Sequence, residues 1–385
     1  MAGTAFPREF WVGCAMHFSA AMSAGLHILF PLYIRDLGGS ELTIGMYAGT
    51  AGAAAVLARI PFGYLLDHVG RRPAIFLGGV LNVIAWLGFI FADELGTLSF
   101  VFNLLNGIAV GALFTAFFTY ASDITPETRR AEGVALFGIW GLLPDGLAPP
   151  LAEYVIARHG FVGYFVIAAA FAAISFAISL ALPETRLRGH AAEGHAKPVP
   201  FRLWQSGLVG TLLTVLAFAV AMHGLFVFLA PYFDSSGRGA VSQFFVAYAA
   251  VACTTRVIGG RLPDRIGWRR ILVPALAGYG MGLVLLPWAN DWLAIAAAGG
   301  LCGLGHGYSF PILTVLAVSQ GPRHARGRVV SLVTAMFDIG AVIAGPVLGG
   351  IIEVAGFGTM YRLVGATTIV AAILAAERFV PAARK

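Results

Sequence analysis

The chain has 385 residues, 58% of them hydrophobic and only 11% charged, with a mean hydropathy of +0.83. Soluble domains carry about a quarter charged residues, so a water-soluble enzyme or binding module is excluded and a membrane protein is indicated. The formal net charge of +6 needs no nucleic-acid partner once its placement along the chain is read as membrane topology.

A helical bilayer crossing takes roughly 20 apolar residues, and windows of that length recur between short polar breaks. They predict twelve transmembrane helices, over 10–32, 42–66, 73–92, 97–121, 132–156, 161–182, 204–231, 240–262, 271–289, 292–317, 329–354 and 360–377. A β-barrel would alternate apolar and polar residues, whereas Val166 to Leu182 is apolar nearly all round, broken only by Ser175 and Ser179. Nineteen of the 25 Lys and Arg fall in breaks on one side, against Arg35, Arg158, Arg238 and Arg362 on the other. The positive-inside rule therefore places both termini in the cytoplasm.

In chain order, a short net-neutral start leads into the first span, which is too long for a signal core and lacks a small-residue cleavage site, so it is expected to stay in the membrane. That span holds His17. The second ends in Gly63-Tyr-Leu-Leu-Asp67-His-Val-Gly70-Arg71-Arg72, with Arg59 eight residues before Asp67. At 1.5 Å per residue Arg59 lies about 12 Å up the helix, inside the hydrocarbon, facing protein or water or snorkelling to the surface. Asp67, at the membrane edge, calls for a cation or a helix N-terminus as partner. The fourth span carries Asn103 and Asn106 on one face, then Gly107 and Gly111, and runs into Pro126-Glu-Thr-Arg-Arg130.

The fifth span is rich in Gly and Pro and contains Asp145 near its centre; Glu153 lies toward its outer end. Between the sixth and seventh spans, 183–203 reads as a cytoplasmic linker between an N-terminal six-helix bundle, 1–182, and a C-terminal one, 204–385. Its His190 and His195 read as solvent-exposed rather than metal-binding, and no metal or cofactor site is expected. The seventh span holds His223 and the eighth Tyr248 and Arg256. Then comes Gly260-Arg-Leu-Pro-Asp264-Arg-Ile-Gly267-Trp-Arg269-Arg270, which repeats the first motif 197 residues on. The tenth span has Gly303 and Gly307, 196 residues after Gly107 and Gly111, together with His306 and Tyr308. Pro322-Arg-His-Ala-Arg326 follows it, echoing Pro126 to Arg130. The eleventh span contains Asp338 and Gly345-Pro-Val-Leu-Gly-Gly350, with Glu353 toward its outer end. Cys14, Cys253 and Cys302 fall inside spans with no paired spacing, so neither a disulfide framework nor a metal cluster is expected.

Two copies in the same orientation, six spans each, imply a parallel repeat about an axis along the membrane normal, with a solute bound at the interface between halves. Over nearly its full length the chain resembles the major facilitator superfamily. Gly63, Leu65, Asp67, Gly70, Arg71 and Arg72 fit that family's G-x-L-a-D-r-x-G-R-R loop, and Pro126 to Gly133 resembles its P-x-x-x-R-x-x-G loop. The resemblance leans to the drug and metabolite efflux branch. It implies an all-α, 6+6 fold and a conformational latch on the cytoplasmic side. It assigns the latch to Asp67, Arg71, Asp264 and Arg269, with Gly63, Gly70, Arg72 and Arg130 of the same loops, and the recurrence of Arg59 and Arg256 in both halves adds them to the latch in preference to substrate binding; the competing reading of the motif is a static folding and topology signal.

Ionisable groups at mid-membrane are functional hypotheses. Asp145, Asp338 and His306 are candidates for carrying a coupled proton, and His17, Asn103, Asn106, His223, Tyr248 and Tyr308 for holding a substrate. The rival reading for Asp145 is a carboxylate fixed to a neighbouring arginine or helix end, and for the histidines a satisfied interhelical contact. The family's R-x-x-Q-G is replaced by Asn103-Leu-Leu-Asn106-Gly107, so no coupling scheme resting on that arginine transfers. The glycine-proline run at 345–350 resembles the family's antiporter motif, in the eleventh rather than the fifth span, and favours export.

These features lead to a secondary transporter of a small organic solute, monomeric, in a bacterial inner membrane, most simply a proton-coupled exporter. Uptake, facilitated diffusion and a non-transporting sensor are the alternatives. No nucleotide-cradling G-x-x-x-x-G-K-[ST] run supports a primary pump, and no H-E-x-x-H or G-x-S-x-G constellation supports an enzyme.

Overall fold

The computed structural model describes residues 6–185, 208–260, 262–321 and 326–378. The helices, in order, are α1 (Arg8–Leu26), α2 (Phe30–Asp36), α3 (Glu41–His68), α4 (Arg71–Gly88), α5 (Thr97–Ile124), α6 (Arg130–Leu142), α7 (Pro144–Leu180), α8 (Leu208–Ser236), α9 (Val241–Val257), α10 (Leu262–Ile266), α11 (Trp268–Leu285), α12 (Trp292–Gln320) and α13 (Arg326–Arg378). Among the described residues the regular structure is helical. In hydrocarbon no water can satisfy a backbone N–H or C=O, so a helix, which bonds its own backbone, is the economical form for such apolar sequence.

Nine helical stretches among the described residues are long and apolar enough to cross a membrane, and Val241–Val257 is a shorter apolar helix. Two of the nine, Glu132–Leu180 and Val329–Ala376, have 49 and 48 residues, far more than one crossing uses. Each is interrupted by a glycine with positive φ, Gly160 (φ 63°) and Gly356 (φ 77°). Only a residue without Cβ takes that conformation cheaply, and the two lie 196 positions apart.

The chain divides into two compact units, Met1–Gly38 with Thr50–Pro198, and Gly39–Gly49 with Val199–Lys385. In the first, α1 packs on α7, and α4 on α5 and α7. Phe10, Phe117, Tyr120 and Phe137 fill its core at one end. A 3₁₀ turn at His27–Leu29 interrupts the first span, and Pro31 follows at the start of α2. The Tyr164 hydroxyl donates to the Leu26 carbonyl just before the turn (2.7 Å), and Ser175 Oγ donates to Met16 O (2.9 Å). Gly107 and Gly111 of α5 lie on the backbone of Ala51 and Ala55 of α3, so close that a Cβ at either glycine would collide with a carbonyl. Small residues at this spacing let membrane helices touch through their backbones.

In the second unit α8 packs on α13, α9 on α12, and α11 on α12 and α13. Here Gly299 and Gly303 of α12 lie on the backbone of Phe244 and Tyr248, and Gly307 on Thr255. The glycine pairs matched by sequence, 107 with 303 and 111 with 307, thus seat equivalent helix contacts. Residues 39–49 at the start of α3 also belong to this unit. Gly45 and Gly49 lie against Gly345 and Pro346 of α13, and the Glu353 carboxylate accepts the Leu42 N–H (3.0 Å).

Candidate functional site

The repeated motif builds the most heavily bonded polar cluster of the first unit. After α3, Gly70 takes φ 145° as the N-cap of α4. In this conformation the first N–H groups of α4, at Arg71 and Arg72, both point at the Glu184 carboxylate, which accepts them at 2.9 Å each. Those N–H groups have no partner within the helix, and a carboxylate there also meets the positive end of the helix dipole. A Cβ on Gly70 would sit 2.5 Å from a Glu184 oxygen. Glycine is required twice over, for its backbone conformation and for the carboxylate's approach.

The arginine side chains complete the cluster. Arg71 Nε donates to Asp123 Oδ2 at the end of α5 (2.8 Å), and its terminal nitrogen donates to Leu66 O (2.7 Å). Thr185 Oγ1 donates to the same Asp123 oxygen (2.9 Å). The Arg72 guanidinium donates to Leu180 O, the last carbonyl of α7 (2.7 Å). Asp67 itself is exposed, with no hydrogen bond or ion pair among the described residues; Arg71 is joined to Asp123 instead. Gly63 has open space where a Cβ would go. Arg130 is exposed and only 3.8 Å from Glu127, whereas Arg129 grips Glu132 through two nitrogens (2.9 and 2.7 Å).

The second copy repeats part of this. Gly267 (φ 93°) caps α11 as Gly70 caps α4, and the Arg269 guanidinium donates to Ala376 O near the end of α13. Arg72 and Arg269 are 197 positions apart and their acceptors Leu180 and Ala376 are 196 apart. Each arginine thus ties the start of one helix to the unsatisfied carbonyls at the end of another in its own unit. The side chain of Asp264 lies outside the described residues. Arg59 and Arg256 are both half-buried and both engaged, Arg59 partly through the ring face of Phe114, 5.9 Å away.

The mid-membrane candidates fall into separate groups. His17 is buried, its Nδ1 3.1 Å from Phe137 O, its ring stacked on Phe137 (4.4 Å) and edged by Phe117 and Phe118 (5.7 Å each). Gly141 closes against its other edge. Asn103 and Asn106 are buried in a polar row: Asn103 Nδ2 donates to Thr50 Oγ1 (3.3 Å) and Asn106 Nδ2 to Asn82 Oδ1 (3.4 Å). Asp145 stands in the first turn of α7, directly after Pro144, half-buried and engaged. In the second unit, Tyr248 and His306 are brought together, hydroxyl to Nδ1 at 2.5 Å, beside Phe218. His223 donates locally to Ala219 O (2.8 Å), Tyr308 lies against Gly259, and Asp338 is half-buried and engaged.

The comparisons with known proteins agree with this architecture. The family model described as Major Facilitator Superfamily matches residues 12–288 and 236–384, which together span almost the whole chain. The chain belongs to the Major Facilitator Superfamily. It is 24% identical over 376 residues to the staphylopine export protein of Staphylococcus aureus, covering 93% of this chain and 92% of that one. It is 24% identical over 358 residues to the multi-drug resistance efflux pump PmrA of Streptococcus pneumoniae, covering 89% and 88%. Among solved structures, the nucleoside transporter NupG superposes with a TM-score of 0.79 at 14% identity, covering 97% of this chain and all of that one. This superfamily member is therefore a multi-pass membrane protein and a transporter rather than an enzyme.

Several residues of these clusters carry no motif that sequence reading singled out. Asp123 and Glu184 are the lone acids at the ends of the fourth and sixth spans, on the side where arginines gather, and that charge complement is a usable signal. Asn82 lies one turn before Trp86 on the third span, and its pairing with Asn106 depends on helix rotation that spacing alone does not supply.

Proposed function

We propose that this superfamily member exports a small organic solute by alternating access, exchanging it for protons. Counting each broken helix, Glu132–Leu180 and Val329–Ala376, as two crossings gives twelve with the remaining spans, in two bundles joined near 183–203. The observation that carries the reading is the matched pair of ties, Arg72 to Leu180 and Arg269 to Ala376. They make each bundle's third-helix loop rigid with its own sixth helix, as a mechanism moving two bundles as bodies needs. Arg59, Gly63, Asp67, Gly70, Arg71, Arg72, Arg130, Arg256, Asp264 and Arg269 form the gate on the cytoplasmic face of a bacterial inner membrane. Asp67, exposed and without a partner among the described residues, is the group available to a partner in another conformational state.

Export is favoured because the relatives include an export protein and an efflux pump. Proton exchange rests on Asp145, in the first turn of α7 after Pro144, on Asp338 and on the hydrogen-bonded Tyr248–His306 pair. Asn103, Asn106, His223 and Tyr308 are polar positions for the solute; His17, enclosed by three aromatic rings, reaches it only after rearrangement. A thermal-shift screen of the purified chain against amphipathic drugs, nucleosides and metal-chelating metabolites tests the solute class. A stabilising compound that the reconstituted protein also moves supports the reading, and a panel with neither effect refutes it.

A further inference from the structure

At the end of the second unit away from its repeated motif, two cations meet on one turn. α11 starts at the Gly267 cap and ends in a 3₁₀ turn, Leu286–Trp288. Arg238 Nη1 donates to the Pro287 carbonyl in this turn and to the Tyr232 hydroxyl (2.9 Å). The Arg362 guanidinium lies over the ring of the next residue, Trp288, 5.5 Å from its centroid, within cation–π range. Gly358 lies between the two: a Cβ built there meets Pro287 Cβ at 3.7 Å and Arg362 Nη2 at 3.8 Å. The sequence gives this side of the membrane only Arg35, Arg158, Arg238 and Arg362, so half of its basic residues converge on a single turn.

Neither cation is neutralised by a neighbouring acid. Among the described residues, Arg238 and Arg362 form no ion pair. Asp291, in the loop after Trp288, spends its carboxylate on the Ala294 N–H at the start of α12 (2.8 Å), and Asp234, four residues before Arg238, is engaged elsewhere. Arg362 makes one long hydrogen bond, to Thr359 Oγ1 (3.5 Å), and Arg238 bonds through Nη1 alone. Most of the five N–H groups of each guanidinium therefore remain for a ligand.

The turn also faces lipid. Trp288 is 56% exposed, and Met281, Leu285 and Trp288, spaced by four and three residues, leave one face of α11 uncovered; Leu363, beside Arg362, is exposed as well. In a multi-pass membrane protein such a stripe lies against acyl chains, and a tryptophan at its end marks the headgroup level. A tryptophan alone is an ordinary interfacial anchor. Two unneutralised guanidiniums beside it call for an anion, and their paired N–H groups match phosphate oxygens. A phospholipid brings phosphate and acyl chain to one place.

We propose that Arg238, Arg362 and Trp288 form a binding site for the headgroup phosphate of an anionic phospholipid, whose acyl chains lie along Met281 and Leu285. This site is independent of the transport reading. The test counts lipids retained by the full chain in micelles, by native mass spectrometry, with phosphatidylglycerol or phosphatidylcholine added. The wild type is compared with Arg238→Gln, Arg362→Gln, their double variant and Arg158→Gln, which removes a cation of the same side in the other unit. At saturation the wild type is expected to hold one phosphatidylglycerol more than the double variant. Each single substitution at the turn weakens that lipid about tenfold, Arg158→Gln leaves it bound, and inorganic phosphate does not displace it. Melting curves guard against misfolding: phosphatidylglycerol raises the midpoint of the wild type and not that of Arg362→Gln, whose side chain is exposed. Equal phosphatidylglycerol counts in wild type and double variant, the same difference with phosphatidylcholine, loss of the lipid in Arg158→Gln, displacement by inorganic phosphate, or equal midpoint shifts overturn the proposal.

Discussion

The Glu184 cap is the most quantifiable claim about the motif. Glu184→Ala removes one carboxylate that accepts two first-turn N–H groups of α4, at 2.9 Å each. Replacing an N-cap acceptor by alanine costs about 1 kcal/mol, and hydrogen bonds to a charged group reach about 1.5–3 kcal/mol. Glu184 is exposed, so water replaces part of what is lost and screening reduces the charge contribution. A loss of about 1–2 kcal/mol is expected, which for a unit near 190 residues is roughly a 2–8 °C drop in Tm. A thiol-reactive dye can follow unfolding in micelles, because Cys14 and Cys302 are buried and Cys253 partly so, and none of the three forms a disulfide. Glu184→Gln keeps two acceptor lone pairs without the charge and falls between wild type and alanine. Gly70→Ala is more damaging than Glu184→Ala in the wild-type background, because both the φ of 145° and the carboxylate oppose a methyl group. In the Glu184→Ala background the added cost shrinks to the backbone strain alone, about 1–3 kcal/mol. A Glu184→Ala midpoint within 1 °C of wild type, or equal costs of Gly70→Ala in both backgrounds, would refute the cap.

Further outcomes follow from the same geometry. Gly303→Leu and Gly107→Leu force side chains onto the backbone of Tyr248 and Ala51 and abolish folded yield, whereas Gly63→Ala and Gly350→Ala, which meet open space, leave it intact; size-exclusion profiles of the four variants decide this. Arg72→Ala and Arg269→Ala each lose a tie to a helix C-terminus and lower Tm by similar amounts, for about 1–2 kcal/mol apiece; a large effect in one and none in the other contradicts their equivalence. Tyr248→Phe removes the partner of His306 Nδ1 and costs about 1–3 kcal/mol, read as a lower melting midpoint, while unchanged stability shows the nitrogen is satisfied another way.

Much of this was legible beforehand because membrane physics writes it into composition. Apolar windows gave the helices and their ends to within a few residues for most spans, as 97–121 beside Thr97–Ile124 shows. The repeat offset carried further than the spans did, since Gly160 and Gly356, 196 residues apart, and Arg72 and Arg269, 197 apart, take matching backbone or bonding roles. Asp67 was expected to be paired and is exposed, because Arg71 finds Asp123 on another helix, a long-range choice that no local pattern records. His190 and His195 lie outside the described residues.

The central claim is that the chain moves a solute at the expense of a gradient. The direct measurement is flux of a solute identified by thermal shift, in proteoliposomes with and without an imposed pH gradient, for the wild type and Asp145→Asn. The account predicts accumulation that follows the gradient and needs no nucleotide, with Asp145→Asn retaining binding but losing the gradient dependence. Flux indifferent to both the gradient and the substitution would contradict proton exchange, and absence of flux from a folded, solute-binding protein would contradict transport itself.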